Sequence, residues 1–373
     1  MKIKLNEKDL KQFNKLLKTM DNNIAIANMF LDFCSHYNFI DKNNFSLKQN
    51  KNAQFAREFL NFFDYELDTR EDKKLFKQYV EPAIKELDLK IIKNNIYYKT
   101  IKPQKIKDNN YVLEYKKYYA LQPFVYEDVK VDNEYYQEIS SIAFSEEELP
   151  YLVLAKKNIN WMSITPNEIV TMQKSINEAQ GNVITFGLGL GYYAFMVAEK
   201  ENVTSVVVVE NDATIIKIFK ENILPLFRNK KKIKIIQSDA FSYCKTNDIN
   251  QLYDYAFVDI WHSAEDGLPL YLKFKQFEKK QKCTFSYWLE ESIICLYRRL
   301  LLILIEEQLE KRDDNYYQKA HNDLDKIIND LYFATKNLLI NNYEGIHKML
   351  SVDQLKKLMV KERDVNCSEF SKN

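Results

Sequence analysis

Apolar positions in the first ninety residues recur at helical spacing. Phe30, Leu31, Phe33 and Cys34 form one group, and Phe55, Phe59, Phe62 and Phe63 another. The pattern continues over 71–89 and is interrupted at Pro82. It predicts a helical N-terminal domain spanning residues 1–90. The character then changes. Ile96-Tyr-Tyr, Tyr111-Val-Leu-Glu-Tyr and Phe124-Val-Tyr are short β-favouring runs separated by Asn, Asp and Pro. They predict a small β-rich segment over 91–160.

A third unit covers 161–290. Thr165-Pro166-Asn167-Glu168 reads as a helix start, with Thr at the N-cap, Pro at the first helical position and Glu three residues after the cap. Ile169, Met172 and Ile176 continue the apolar face, and Gly181 falls where the helix should stop. Strand and helix patterns then alternate. Strands are predicted at 183–186, 203–209, 233–236, 255–259 and, more weakly, 284–288, with helices at 192–200, 213–223 and 268–279. Such alternation predicts an α/β fold with a mostly parallel sheet covered by helices on both faces. Beyond Trp288 the pattern is helical, with Ile293, Leu296, Leu300 and Leu301 on one face and Leu324, Ile327, Ile328, Leu331 and Tyr332 on another. This predicts a helical C-terminal extension over 291–373, a candidate surface for self-association, with a frayed final ten residues.

Composition sharpens the picture at one place. The chain has six glycines in 373 residues, and four of them lie between Gly181 and Gly191. Gly187, Gly189 and Gly191 alternate between a predicted strand and a predicted helix, so the backbone there can take positive φ and approach a ligand closely. That is the first turn of a nucleotide-binding βαβ unit, with the helix N-terminus facing the ligand. Polar residues fall at the ends of the next strands. Glu210 comes about twenty residues on, suited to both ribose hydroxyls. Ser238-Asp239-Ala240 follows the third strand and Asp259-Ile260-Trp261-His262 the fourth.

Other compositional features exclude more than they suggest. A net charge of +1 gives no support for bulk nucleic-acid binding. The basic run from Arg228 to Lys234 reads as a solvated turn. Cys34, Cys244, Cys283, Cys295 and Cys367 are odd in number and dispersed, without zinc or redox spacing, which predicts reduced thiols in a cytoplasmic protein and no metal site. The N-terminus lacks the apolar core of a signal peptide, and the apolar run 300–305 is too short to span a bilayer.

With that ordered set of motifs, residues 161–288 resemble the class I S-adenosylmethionine-dependent methyltransferases and, more loosely, their spermidine synthase-like branch. The resemblance implies a Rossmann-like domain that binds S-adenosylmethionine and methylates an acceptor, a small molecule in preference to nucleic acid or protein. It implies that Phe186, Gly187, Leu188, Gly189 and Gly191 lie under the methionine and ribose. Glu210 would hold the ribose, Asn211 lie beside the adenine, and Asp239 and Ala240 meet the adenine edge. Asp259 would sit near the sulfonium or the acceptor. An amine or hydroxyl acceptor must lose a proton, and Asp259 is the first candidate base with His262 the second.

The sequence departs from this pattern at three points. The place two residues before the first glycine, usually acidic, is Thr185, so recognition of the methionine ammonium must come from elsewhere. The fourth-strand motif is neither the Asn/Asp-Pro-Pro-aromatic signature of base and glutamine methylation nor the Asp-rich segment of aminopropyl transferases. No clear sixth and seventh strands follow residue 290. Other readings stay open. Gly189-Leu-Gly191-Tyr-Tyr-Ala194 fits a nicotinamide fingerprint, although that phasing starts two residues late and leaves Ser-Asp-Ala and Asp-Ile-Trp unexplained. An aminopropyltransferase-like enzyme with a polyamine pocket of Asp259, Glu265 and Asp266 is a second alternative. A non-catalytic nucleotide-binding or assembly protein is a third.

Overall fold

In the computed structural model the described residues are 1–37, 50–108, 110–132, 134–278 and 282–359. Cys367 and the final ten residues lie outside them. The long first helix, Glu7–His36, starts at a reciprocal cap: Asn6 accepts from the Asp9 N–H at 2.9 Å, and the Asp9 carboxylate accepts from the Asn6 N–H at 3.3 Å. Its Phe33 packs edge-on against Phe55 and Phe59 of the helix Lys51–Phe62, Phe30 lies tilted against Phe59, and Phe55 stacks on Phe144 with ring centroids 4.1 Å apart.

The helical pattern over 71–89 does not persist. A helix Arg70–Leu75 widens into a π turn at Phe76–Val80, and after the short helix Glu81–Ala83 the chain extends through Ile84–Glu86. Pro82 has no N–H to continue the ladder and its ring crowds the preceding turn. The extended residues pair in parallel with Ile142–Phe144.

Ile96-Tyr-Tyr is a helix, Ile96–Thr100, and not a strand. Asn95 caps it, accepting from the Tyr97 N–H at 2.9 Å and the Tyr98 N–H at 3.4 Å. The tyrosines that suggested a strand are tethers. The Tyr97 hydroxyl donates to the Leu190 carbonyl at 2.7 Å, Tyr98 donates to the Ile164 carbonyl, and the Asn95 amide donates to the Tyr192 hydroxyl at 2.9 Å. This short helix therefore grips the glycine loop from outside.

An antiparallel sheet follows, made of β1 (Ile106–Asp108), β2 (Tyr111–Tyr118), β3 (Leu149–Lys156) and β4 (Ile159–Ile164) in the order β4-β3-β2-β1. Beyond it lies a five-stranded, wholly parallel sheet. Its strands are β5 (Gly181–Phe186), β6 (Val203–Glu210), β7 (Ile233–Gln237), β8 (Tyr255–Val258) and β9 (Thr284–Tyr287), in the order β7-β6-β5-β8-β9. Each lies where the alternating pattern predicted it. Val183, Ile184, Val206, Val208, Ala256, Phe257 and Val258 are fully buried, as the near-continuous apolar runs require. Helices Tyr192–Ala198, Ala213–Asn222 and Ala264–Lys275 lie between the strands, joined by Ala240–Thr246, which the apolar pattern did not reveal.

The helix begun at Thr165 is shorter than its pattern. Pro166–Thr171 breaks at Met172 and resumes as Gln173–Glu178, while Gly181 opens β5 with φ +65° two residues past the cap Ala179. After β9 the chain turns through Leu289 into a helix, Glu290–Leu309, so among the described residues the parallel sheet ends at five strands. A late strand, Leu339–Ile340, pairs instead with Lys2–Ile3 at the chain's start. Among the described residues no helix is long and apolar enough to cross a membrane.

The Tyr97 tether gives a direct test. Tyr97→Phe leaves the buried Leu190 carbonyl without its donor, so it should destabilise the protein by about 1–3 kcal/mol in urea unfolding. An unchanged midpoint would show that this bond does not hold the loop.

Candidate functional site

The carboxyl edge of a parallel sheet opens a crevice where the strand order reverses, here between β5 and β8. The glycine loop leaves β5 at that point. Gly187, Gly189 and Gly191 all have positive φ, at +96°, +52° and +76°, but only one faces open space. A Cβ on Gly187 would overlap the Asp259 carbonyl oxygen, whereas a Cβ on Gly189 would meet no atom within 4 Å. Gly189 lines a cavity of about 670 Å³.

The cavity has the loop as its floor. Its walls are Glu210 to Asp212, Ser238 to Phe241 and Asp259 to His262, and its remaining side is formed by residues 160–164 of β4 with Glu168 and Met172. Gly187, Leu188, Gly189, Glu210, Asn211, Asp239, Ala240, Asp259 and His262 therefore share one enclosure. Phe186 and Gly191 do not belong to its lining. Phe186 is fully buried against Phe274, ring centroids 5.1 Å apart, because it ends a core strand facing the helix layer. Gly191 is pressed against the Phe219 ring, so its missing side chain serves packing.

Glu210 ends β6 and, among the described residues, is held by main chain alone. Its carboxylate accepts from the Leu188 N–H at 3.1 Å, the Asn211 N–H at 2.7 Å and the Asp212 N–H at 2.8 Å. Asp212 caps the next helix, accepting from Thr214 at 2.8 Å, and takes the Tyr111 hydroxyl at 2.9 Å. Asp239 caps Ala240–Thr246, accepting from the Ser242 N–H at 2.8 Å.

Asp259 follows β8, its N–H bonded to the Phe186 carbonyl at 2.9 Å. Its side chain meets the cavity on one side and protein on the others, and burial pushes its pKa up to about 7. Beside it stands Glu168, which the sequence reading used only as a helix-start residue. The Thr165 hydroxyl does accept from the Glu168 N–H at 3.4 Å, yet the Glu168 carboxyl faces the cavity instead of returning to the cap. Burial, reinforced by the Asp259 charge, holds it well above the usual carboxylate range. An acid in the first helical turn before β5 satisfies the helix-start pattern whichever way it points, so spacing alone did not single it out. The neutral Thr185 was the available signal.

His262 stands at the rim, its ring exposed and edge-on to Trp161 at 5.0 Å, with its N–H donating to the Asp266 carboxylate at 3.0 Å. Asp266 also accepts from the Ser263 N–H at 2.6 Å, which closes the cap of Ala264–Lys275. Neither Asp266 nor Glu265 lines the cavity, so they do not join Asp259 in a pocket. Five lining residues carry carboxyl groups (Glu168, Glu210, Asp212, Asp239 and Asp259), while no Lys or Arg is among them, so the enclosure suits a cationic ligand.

No family model matches the chain, and no curated protein matches its sequence. Solved structures similar to it include spermidine synthase from Thermotoga maritima, at 14% identity over 41% of this chain and 59% of that one, with a TM-score of 0.29. A candidate S-adenosylmethionine-dependent methyltransferase from Streptococcus mutans is similar at 15% identity over 40% of this chain and 44% of its own, TM-score 0.28. A candidate O-methyltransferase from Klebsiella pneumoniae is similar at 12% identity over 39% and 57%, TM-score 0.24. The chain thus spans less than two thirds of each of these neighbours.

The Asp259 carboxyl makes stability depend on pH with a defined sign. Below its ordinary value of 3.8 it is protonated whether the chain is folded or not. As pH rises from 3.8 to about 7 the unfolded chain releases the proton and the folded one keeps it, so stability falls across that window. Asp259→Asn should therefore melt at least about 2 °C above the unsubstituted protein at pH 8 and level with it near pH 4. Calorimetry showing no such divergence would mean that the carboxyl is well solvated.

Proposed function

We propose that this chain is an S-adenosylmethionine-dependent methyltransferase with a Rossmann-like nucleoside domain over 161–290, acting in the cytoplasm on a small-molecule acceptor. In this reading residues 1–90, the β-rich 91–160 and residues 291–373 are accessory parts, of which Asn160 alone borders the cavity among the described residues. The observation that carries the proposal is the placement of Glu210. Its carboxylate is fixed by three backbone N–H groups beside the glycine loop and borders the open space above Gly189.

A carboxylate with two oxygens has acceptor capacity left after three bonds, which suits it to a ribose diol. The open cradle at Gly189 lets a ligand touch the backbone, and Asp239 and Ala240 border the adenine end. A cavity of about 670 Å³ has room for a nucleoside and a small acceptor together. S-adenosylmethionine supplies an electrophilic methyl group on a sulfonium. The chain's own contribution is orientation and proton removal. Asp259, raised to about 7 by burial, accepts a proton from an amine or hydroxyl near neutral pH. His262 at the exposed rim is the second candidate for that proton.

One observation favours a second reading. With no Lys or Arg among the lining residues, a methionine carboxylate has no permanently cationic side chain to meet there. The decarboxylated cofactor of an aminopropyl transfer needs none.

S-adenosylhomocysteine or S-adenosylmethionine should raise the melting temperature, since a ligand of the native state stabilises it by mass action. Gly189→Val should abolish the shift. A shift with NAD and none with either sulfur nucleoside would overturn the proposal, and a larger shift with decarboxylated S-adenosylmethionine would move it to aminopropyl transfer.

A further inference from the structure

We propose that Glu168, paired with Asp259, forms a subsite that receives the primary ammonium on the amino-acid chain of the bound nucleoside. This rests on the nucleoside reading above and names the residue that recognises the ligand's charged end. The Asp259 main chain abuts Gly187 closely enough to exclude a Cβ, so residue 259 stands at the first glycine of the loop, and both it and Glu168 line the cavity there. Glu168 comes from a different element, the helix Pro166–Thr171, and its carboxyl interacts electrostatically with Asp259.

Among the described residues no hydrogen bond or ion pair engages the Glu168 carboxyl, although it is enclosed on every side except the cavity's. Two adjacent carboxyls in a low-dielectric enclosure repel unless a proton or a cation lies between them. Lining residues offer no Lys or Arg, and Thr185, the polar residue of β5 nearest the loop, is neutral. A ligand ammonium is the cation that fits. The other titratable residues lining this space are Tyr192, Tyr193, Glu210, Asp212, Asp239 and His262, and Tyr118 from β2, outside the lining, interacts electrostatically with Glu168.

Burial raises both carboxyls, so near neutral pH the empty pair retains a proton. Ammonium binding replaces that proton, which leaves for solvent. A nucleoside with the amino-acid chain should therefore bind with proton release, and one without it should not.

Calorimetric titration of the full chain with S-adenosylhomocysteine and with 5′-methylthioadenosine, which has the same nucleoside but no amino-acid chain, tests this. Glu168→Gln should weaken S-adenosylhomocysteine by roughly tenfold or more, the size of a lost charge-assisted bond. Binding of 5′-methylthioadenosine should stay within about twofold, which also shows that the variant is folded. Titrations in two buffers of different ionisation enthalpy should report proton release for the first ligand alone. If both ligands bind and the substitution changes neither, or weakens both equally, the subsite is overturned while the nucleoside reading stands. If neither ligand binds the unsubstituted protein, both fall together.

Discussion

The contact on which the site depends is the approach of Gly187 to the main chain of Asp259. No side chain fits between them. The two strands β5 and β8 can therefore continue past their ladder into facing loops, with the Asp259 N–H bonded to the Phe186 carbonyl at 2.9 Å. On the other side of β5 the Gly187 N–H reaches the Val209 carbonyl at 2.9 Å, and beyond it the Ser238 N–H reaches the Glu210 carbonyl at 3.0 Å. Each strand end is thus tied to its neighbour just before its polar residue begins. The cavity walls inherit their spacing from the parallel ladder rather than from loop preferences.

Much of this was legible in the chain. Buried parallel strands read as near-continuous apolar runs, so β5, β6 and β8 stand out, whereas β7 is interrupted by Lys234 and the edge strand β9, Thr284-Phe-Ser-Tyr, is only weakly marked. Polar residues at the strand ends then mark the sheet's carboxyl edge, and Glu210, Asp239 and Asp259 do line the cavity there. The failures have one cause. Ile96-Tyr-Tyr looked like a strand because aromatic residues favour strands, but Asn95 caps a helix there and the tyrosine hydroxyls reach carbonyls far away in sequence. Phe186 and Gly191 sit inside the motif yet face the core, and Glu168 sits outside it yet faces the cavity. Sequence spacing fixes distance along an element. It does not fix which way one side chain turns when neighbours from other elements decide.

The five lining acids then divide by how their oxygens are used. Glu210, Asp212 and Asp239 stand where a strand gives way to a helix, and such junctions offer main-chain N–H groups in abundance. Their carboxylates are satisfied within the protein and hold the walls in shape. Glu168 and Asp259 have no such supply. Asp259 is followed by a loop rather than directly by a helix, and Glu168 is turned away from its own cap. Both are part-buried and open to the cavity, and holding two carboxyls in one enclosure costs stability through like-charge repulsion. The bonded acids shape the enclosure, and among the described residues Glu168 and Asp259 are the lining acids whose carboxyls carry no hydrogen bond of that kind.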